Sequence, residues 1–301
     1  MTRLRDAAQT AARLPYAALA REVGALLHDP AVQVPERRVL ALPGGATLFV
    51  MPAFDQRIAI TKLITFTPSN AGTGRPTIQG DVVVFDIASG RRLGVIDGPV
   101  VTARRTAAVS LRAAQALAAE PAGPLLIVGA GAQGRAHLEA FAAGLPLREV
   151  HVASRSAASV LALVDHARSL GLTAVACDDP DAALPHCPLV VTCTPADGVV
   201  LSALPRSDVF IAAVGAFTPR MVELAPALCR HLAVDGRVVL DSEDARHEAG
   251  DLLQAGLDLT AFPTLRGVLA DEPSRRQGPV LFKSCGWGGW DLAAARLAFP
   301  D

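Results

Sequence analysis

The stretch PLLIVGAGAQGRAHLEAFAAG, residues 124–144, decides the fold of this chain. Four apolar residues come before the glycine pattern, and an alanine-rich segment with helical spacing follows it. This order of buried strand, glycine turn and helix is typical of a dinucleotide-binding βαβ unit. Gly129 permits the tight turn, Gly131 lets the backbone approach a pyrophosphate, and Gly134 lets the helix and the strand pack closely.

The start of this helix is the predicted binding site for a pyrophosphate, because free N–H groups and the positive end of the helix dipole lie there. A plain glycine turn is the alternative, and the strand and helix on either side of the glycines favour the nucleotide site. The residues predicted to bind the pyrophosphate are Gly129, Gly131, Ala132, Gln133 and Gly134.

The residues after the second strand indicate which nucleotide binds. Such folds place the residue that reads the adenine ribose about 20 residues past the last glycine. Here that position holds Ser154, Arg155 and Ser156, with no carboxylate. Hydroxyls and a guanidinium suit a 2′-phosphate, so we expect NADPH rather than NADH. In the alternative interpretation, Arg155 is a solvated loop residue and Ser156 is a helix N-cap.

Composition excludes several classes of protein. The chain has 301 residues, 51% of them hydrophobic, which is enough for two domains with full cores. A formal charge of -1 offers no basic surface for nucleic acid. Neither a membrane span nor a secretory signal is expected. Five cysteines without a CxxC pair argue against disulfides and zinc and predict a cytoplasmic location.

Lysine is almost absent from the chain. Of 28 basic residues only Lys62 and Lys283 are lysines, which leaves 26 arginines. A codon bias explains the excess of arginine. Where lysine persists against that bias, a compact and titratable ammonium is required, which arginine cannot supply.

Taken in order along the chain, the sequence patterns predict an α/β protein. It consists of a Rossmann-type doubly wound parallel sheet plus a discontinuous α+β domain. Residues 1–30 look helical, residues 34–85 read as antiparallel strands, and a helix capped by Thr102 leads into the nucleotide-binding part. We expect a substrate and dimerisation domain at 1–119, completed by 284–301. The Rossmann domain is then 120–283.

The carboxyl ends of the later strands are where ligands bind in such sheets. The residues predicted there, towards the nicotinamide, are Thr194, Pro195, Val214 and Phe217. An acidic cluster follows the last of these strands, at residues 241–248, and its acids suit helix capping better than a metal site. No metal is therefore predicted.

Six short stretches occur in an order and spacing that resemble the ornithine cyclodeaminase/mu-crystallin family. The resemblance covers nearly the whole chain and is greatest to the bacterial Δ1-pyrroline-2-carboxylate reductases. The stretches are PER at 35–37, MPA at 51–53, Lys62 with Asn70, TARRTAA at 102–108, GAGAQG at 129–134 and FKS at 282–284.

The resemblance implies a homodimer in which the sheet of the substrate domain pairs with a second subunit. It also implies that Arg37, Lys62 and Arg105 face a substrate carboxylate, with Lys62 and Arg105 catalytic. Met51 and Phe217 complete the predicted substrate site. Three further residues are expected at the cofactor: Thr106, Lys283 and Ser284.

Phe217 stands where the cyclodeaminases look to carry an aspartate. Deamination needs proton transfers at an amine, which a phenyl ring cannot perform. The expected reaction is therefore NADPH-dependent reduction of Δ1-pyrroline-2-carboxylate to L-proline, with the six-membered Δ1-piperideine-2-carboxylate giving L-pipecolate. Three alternatives stay open: an ornithine cyclodeaminase using NAD, an alanine dehydrogenase-like enzyme, and a crystallin-like binding protein without turnover. Phe217 as simple core packing is a further alternative.

Overall fold

A computed structural model describes residues 3–70, 72–270 and 278–300. The chain divides into two compact units. Unit 1 runs through Arg105 and resumes at Trp287, and unit 2 is Thr106–Gly286. These divisions differ from the expected ones at 119/120 and 283/284. The long helix at the first division belongs to both units, whereas the sequence placed the division at the end of that helix.

Unit 1 begins with a short strand and two helices, and an antiparallel series of strands follows. Its elements in chain order are β1 Arg3–Arg5, α1 Ala7–Arg13, α2 Tyr16–His28, β2 Arg38–Ala41, β3 Thr47–Phe54, β4 Ile58–Phe66, β5 Ile78–Asp86, β6 Arg92–Asp97 and α3 Gly98–Leu117.

The six strands form one sheet in the order β1-β6-β5-β4-β3-β2. Neighbouring strands from β2 to β6 pair antiparallel, as predicted, but β1 pairs parallel with β6. The expectation that residues 1–30 are helical throughout was therefore wrong at β1. The three-residue edge strand is too short to show a periodic pattern in the sequence.

Helix α3 begins earlier than predicted. It starts at Gly98, so Thr102 lies inside the helix rather than at its N-cap. The Asp97 carboxylate accepts a hydrogen bond from the Val100 backbone N–H at 2.8 Å, which is the role of a capping side chain. The expected N-cap at Thr102 was wrong because the acceptor is the last residue of β6.

Unit 2 alternates strands and helices. Its elements are β7 Leu125–Val128, α4 Ala132–Gly144, β8 Glu149–Ala153, α5 Ala157–Ser169, β9 Thr173–Ala176, α6 Pro180–Ala183, β10 Leu189–Thr192, β11 Asp197–Leu201, β12 Phe210–Ala213, β13 Val222–Leu224, α7 Pro226–Val234, β14 Arg237–Leu240, α8 Ala245–Glu248, α9 Gly250–Gln254, α10 Leu265–Ala270 and β15 Val280–Lys283.

Seven of these strands form a parallel sheet in the order β14-β15-β12-β10-β7-β8-β9. The chain order reverses at β7, as in doubly wound folds, and this confirms the predicted Rossmann-type architecture. Strand β15 was not predicted, although its residues fall within the expected Rossmann domain, 120–283. It lies between β12 and β14, out of chain order.

Helix α11, Gly288–Ala298, returns the chain to unit 1, where it packs on α2 and on strands β3 and β4. Nine of its eleven residues are buried, so it is apolar on nearly every face. Its one acidic residue, Asp291, is fully buried. A charge at such a position requires a partner of opposite sign.

Within the described residues, no helix is both long enough and apolar enough to span a membrane. All five cysteines are free thiols. The cytoplasmic location stays a prediction from the cysteine pattern.

Candidate functional site

Three charged side chains meet in the interior of unit 1. Lys62 comes from β4, Arg105 from α3 and Asp291 from α11, with 2%, 6% and 0% of each residue exposed. The Lys62 ammonium donates to Asp291 Oδ1 at 2.9 Å and lies 2.8 Å from Oδ2. Arg105 Nε lies 3.3 Å from Oδ1 as an ion pair. We call Lys62, Arg105 and Asp291 the charged triad.

Strand periodicity places Lys62 in this interior. Ile58, Ile60, Lys62 and Ile64 alternate with more exposed residues and point to the buried face of β4. Met51 lies directly opposite Lys62 in the β3–β4 pair and is also buried, so its side chain lies beside the lysine on the same face. The structure thus brings together the predicted residues Met51 and Lys62.

Burial lowers the pKa of Lys62 to about 8. The negative charge of Asp291 opposes this shift, while the positive charges of Arg105 and Arg37 add to it. Arg37 is half-buried just before β2. The ammonium can therefore exchange a proton near neutral pH, which an ordinary lysine does not do.

Arg105 and its neighbour Arg104 have different surroundings. The Arg104 guanidinium lies over the Tyr16 ring, 4.2 Å from its centroid. Arg105 directs Nε at Asp291, and among the described residues its two terminal nitrogens have no protein partner. The two terminal nitrogens of a guanidinium can bind a carboxylate with two parallel hydrogen bonds.

Asp291 was missed by sequence reasoning. The available signal was one acidic residue in the apolar run GGWDLAAA, residues 288–295. A lone charge in a helix of this composition is buried with the rest of the helix, and it then needs a cationic partner.

The glycine turn of unit 2 has the shape that a dinucleotide requires. Gly129 has a φ of 116°, and a Cβ there would lie 2.7 Å from the Cys193 carbonyl oxygen. A Cβ on Gly134 would lie 2.0 Å from the Gly129 carbonyl oxygen. A Cβ on Gly131 would meet nothing within 4 Å, so open space lies in front of the turn. The turn fits a pyrophosphate.

Helix α4 begins at this open space. Gly131 is its N-cap and offers no capping side chain, so the helix start presents backbone N–H groups. Ala132 and Gln133 are the first two helical residues. Thr106, on α3, is buried and belongs to the same unit.

Ser154, Arg155 and Ser156 are exposed after β8. Arg155 Nη1 lies 3.1 Å from Asp197 Oδ2, an ion pair that leaves both side chains mostly in solvent. Ser156 accepts a hydrogen bond from the Ser159 backbone N–H and is the N-cap of α5, as the alternative interpretation held.

A buried carboxylate, Glu223, holds the ends of two central strands. It accepts hydrogen bonds from the Thr192 and Thr194 hydroxyls and from the backbone N–H groups of Thr194 and Gly215, at 2.7–2.9 Å. Burial raises the pKa of Glu223, and the positive charge of Lys283 opposes that shift. The predicted residue Thr194 is therefore rigidly placed.

Lys283 reaches this carboxylate through Asp251. The Lys283 ammonium donates to Asp251 Oδ2 at 2.6 Å, and both residues are fully buried. The other oxygen of Asp251 accepts from the Glu223 and Leu224 backbone N–H groups. Burial favours the neutral amine, but the charges around Lys283, that of Asp251 foremost, and the hydrogen bond to Asp251 together outweigh it and raise the pKa of Lys283. The side chain of Lys283 thus binds Asp251.

One residue of the acidic cluster, Asp241, accepts hydrogen bonds from the segment that follows β15. Asp241 Oδ2 accepts from the Ser284 hydroxyl at 2.8 Å and from the Gly286 backbone N–H at 2.9 Å. It thereby fixes the segment after β15, where the predicted residue Ser284 lies. No group of three or more potential metal ligands occurs in the part of the chain that the structure describes.

The remaining predicted residues lie around the end of β12 and the loop after β10. Val214 is buried, Pro195 is exposed, and Phe217 is half-buried. The Phe217 ring packs against the hydrophobic core of unit 2, which agrees with the packing alternative. Its predicted contact with substrate stays a prediction.

Comparison with known proteins gives consistent matches. The model of the ornithine cyclodeaminase/mu-crystallin family matches residues 17–299. Δ1-Pyrroline-2-carboxylate reductase 2 of Burkholderia ambifaria is 38% identical over 299 residues, covering 97% of this chain and 94% of that protein.

A second relative is the Δ1-pyrroline-2-carboxylate/Δ1-piperideine-2-carboxylate reductase of Azospirillum brasilense. It is 38% identical over 296 residues, with 97% of this chain and 94% of that protein covered. Among solved structures, the Thermococcus litoralis Δ1-pyrroline-2-carboxylate reductase with NADH and L-proline has a TM-score of 0.90 at 21% identity, over 98% of this chain and 95% of that one. That likeness shows the fold.

The buried ion pair of Lys283 and Asp251 in unit 2 leads to a prediction about the stability of the protein. Asp251→Asn leaves the buried Lys283 ammonium without a counter-charge, so we expect it to lower the free energy of unfolding by about 3–5 kcal/mol. Asp165→Asn makes the same chemical change in an exposed pair with Arg168 and should cost less than about 1 kcal/mol. Urea unfolding of both variants compares them. Equal losses would contradict a charged Lys283–Asp251 pair.

Proposed function

Because the chain belongs to the ornithine cyclodeaminase/mu-crystallin family, we propose that it reduces a cyclic imino acid with NADPH. The substrate is Δ1-pyrroline-2-carboxylate, which gives L-proline, and Δ1-piperideine-2-carboxylate is a second substrate, which gives L-pipecolate. The observation that carries this proposal is the charged triad of unit 1, because its chemistry matches both polar ends of such a substrate.

The substrate carboxylate binds to Arg105. The two terminal nitrogens of this guanidinium form the fork that a carboxylate accepts in two parallel bonds. Arg37 adds positive charge near Lys62, as its effect on the lysine pKa indicates. Met51 supplies apolar surface beside Lys62 for the ring of the substrate. Positioning of this kind accounts for much of the rate of a bimolecular reaction.

Lys62 supplies the proton. Reduction of the C=N bond adds one hydride to the carbon and one proton to the nitrogen. With its pKa lowered to about 8, the Lys62 ammonium gives up a proton more readily than a surface lysine does. The neutral amine that remains is then reprotonated from solvent. Asp291 accepts a hydrogen bond from the ammonium and keeps it in place.

Unit 2 binds the cofactor, which supplies the hydride when bound. The open turn at Gly131 and the start of α4 bind its pyrophosphate. Arg155 binds the 2′-phosphate, and Asp197 holds the guanidinium at the end of β8. Glu223 keeps the carboxyl end of β10 rigid, where the nicotinamide is expected.

We also propose that the chain forms a homodimer through the outer face of the sheet in unit 1. Leu63 and Phe85 face away from the buried side of β4 and β5 and are 40% and 36% exposed. Val39 and Leu40 on the edge strand β2 are also exposed. Apolar sheet residues of this kind are typical of an interface between subunits.

A panel of substrates tests the reaction class. Followed at the NADPH absorbance, we expect turnover with the five- and six-membered cyclic imino acids and much slower turnover with pyruvate plus ammonia. No ammonia should be released from L-ornithine with NAD, because Phe217 stands in place of a proton-handling carboxylate. Stoichiometric ammonia from ornithine would establish the cyclodeaminase instead. No turnover of any member would favour the crystallin-like binding protein.

The cofactor preference depends on Arg155. A charge-assisted hydrogen bond is worth about 1.5–3 kcal/mol, so Arg155→Ala should weaken NADPH about 10- to 100-fold and leave NADH nearly unchanged. Arg168→Ala, another exposed arginine of unit 2 paired with an aspartate, is the control. The dissociation constants of both cofactors follow from fluorescence titration. Equal weakening of NADPH and NADH would exclude the 2′-phosphate assignment.

The carboxylate clamp predicts unequal effects at adjacent arginines. Arg105→Lys keeps the charge and loses the fork, so a misplaced imine should lower kcat and raise KM, with kcat/KM falling about a hundredfold. Arg104→Lys changes the residue stacked on Tyr16 and should alter kcat/KM little. Steady-state kinetics with the imino acid measure both. Equal and small effects would make Arg37 the next candidate for the clamp.

A further inference from the structure

We propose that Asp291 is a positioning residue that sets the charge of Lys62 and aims the guanidinium of Arg105. Its effect on turnover rests on the proposed function, whereas its effect on Lys62 does not. Asp291 is fully buried and reaches solvent nowhere, so it acts through the two side chains that it touches.

The carboxylate of Asp291 divides its contacts between the two cations. Lys62 Nζ donates to Oδ1 at 2.9 Å and lies 2.8 Å from Oδ2. Arg105 Nε lies 3.3 Å from Oδ1. A single carboxylate therefore binds the end of the lysine by a hydrogen bond and attracts the Nε side of the guanidinium by its charge.

Charge balance requires this carboxylate. The charged groups that most affect Lys62 are Asp291 from α11, Arg105 from α3 and Arg37 from the segment before β2. Two of these are cations, and they favour the neutral amine together with burial. Asp291 is the one anion of the set, so the ammonium form of Lys62 depends on it.

The backbone around Asp291 keeps the carboxylate in place. Helix α11 packs against α2 and against β3 and β4, and β4 carries Lys62. Trp290, next to Asp291, is also fully buried and packs edge-to-face on Trp287, with ring centroids 5.0 Å apart. The helix cannot rotate to release Asp291 without exposing these residues. The position of the carboxylate is thus a property of the folded unit.

The lysine content of the chain gives a direct experiment. With lysine labelled at ¹³Cε, the protein shows only two side-chain resonances, those of Lys62 and Lys283. Lys62→Met assigns them. The pH titration of each resonance gives its pKa in the full chain, and no substrate is needed.

Asp291→Asn keeps the shape of the side chain and removes its charge. We expect the Lys62 resonance to titrate at a pH at least about one unit lower, because burial and two arginines then act unopposed. The Lys283 resonance, from unit 2, should not move. Asp291→Ser removes the same charge without adding amide hydrogens. If the asparagine variant does not fold, the same titration is measured on the serine variant.

Asp55→Asn is the matched control. Asp55 is buried in unit 1, and its Oδ2 accepts a hydrogen bond from Arg296 Nε at 2.6 Å, so its loss destabilises the same unit. It should leave both lysine titrations unchanged. A Lys62 titration that is the same in wild type and in folded Asp291→Asn, or that Asp55→Asn shifts equally, overturns the proposal.

Turnover provides a second readout. In Asp291→Asn the alkaline limb of the pH profile of kcat/KM should move to lower pH by the same amount as the Lys62 titration, while Asp55→Asn keeps the wild-type profile. A shifted resonance with an unshifted profile overturns the role of Asp291 in turnover. If wild type reduces no imino acid, the proposed function fails, and the resonances alone still decide whether Asp291 sets the charge of Lys62.

Discussion

Unit 1 depends on one buried carboxylate that lies between two cations. Asp291, Lys62 and Arg105 come from a C-terminal helix, a central strand and a long helix, so the contact requires all three elements to be in place. Removing Asp291 leaves two buried cations without a counter-charge, which costs more than the intact group contributes. Among the residues that the structure describes, the two terminal nitrogens of Arg105 have no protein partner, and the proposed substrate carboxylate would bind there.

Unit 2 uses a similar arrangement for a different purpose. Lys283, Asp251 and Glu223 form a chain of contacts that ends on the backbone of Thr194 and Gly215, at the carboxyl ends of β10 and β12. Cofactors bind at the loops that follow the carboxyl ends of parallel strands, and the groups that contact a cofactor there need to be held rigidly. Both lysines of the chain thus form buried ion pairs with aspartate, one in each unit. At both buried positions lysine supplies a compact ammonium, which the larger, planar guanidinium of arginine does not.

Much of the fold could be predicted because its signals are local. The glycine turn, the alternation of β4 and each strand–helix unit of unit 2 occupy short stretches, and the scarcity of lysine by itself singles out Lys62 and Lys283. Asp291 has a local signal as the lone acid of an apolar run, but its partners, like those of Glu223, lie far away in sequence and follow only from the fold. Strand β15 was missed for a related reason, because it enters the sheet between two strands that precede it. The interior partner of Lys283 likewise follows from three-dimensional packing alone.

Hydride transfer to the imine carbon is the central claim, and isotope transfer tests it most directly. Purified protein is incubated with Δ1-pyrroline-2-carboxylate and NADPH that carries deuterium at both C4 positions of the nicotinamide, and the product is analysed by NMR and mass spectrometry. The proposed reaction predicts L-proline with one deuterium, located at Cα. Proline without deuterium, or deuterium at any other carbon, would contradict direct reduction of the C=N bond.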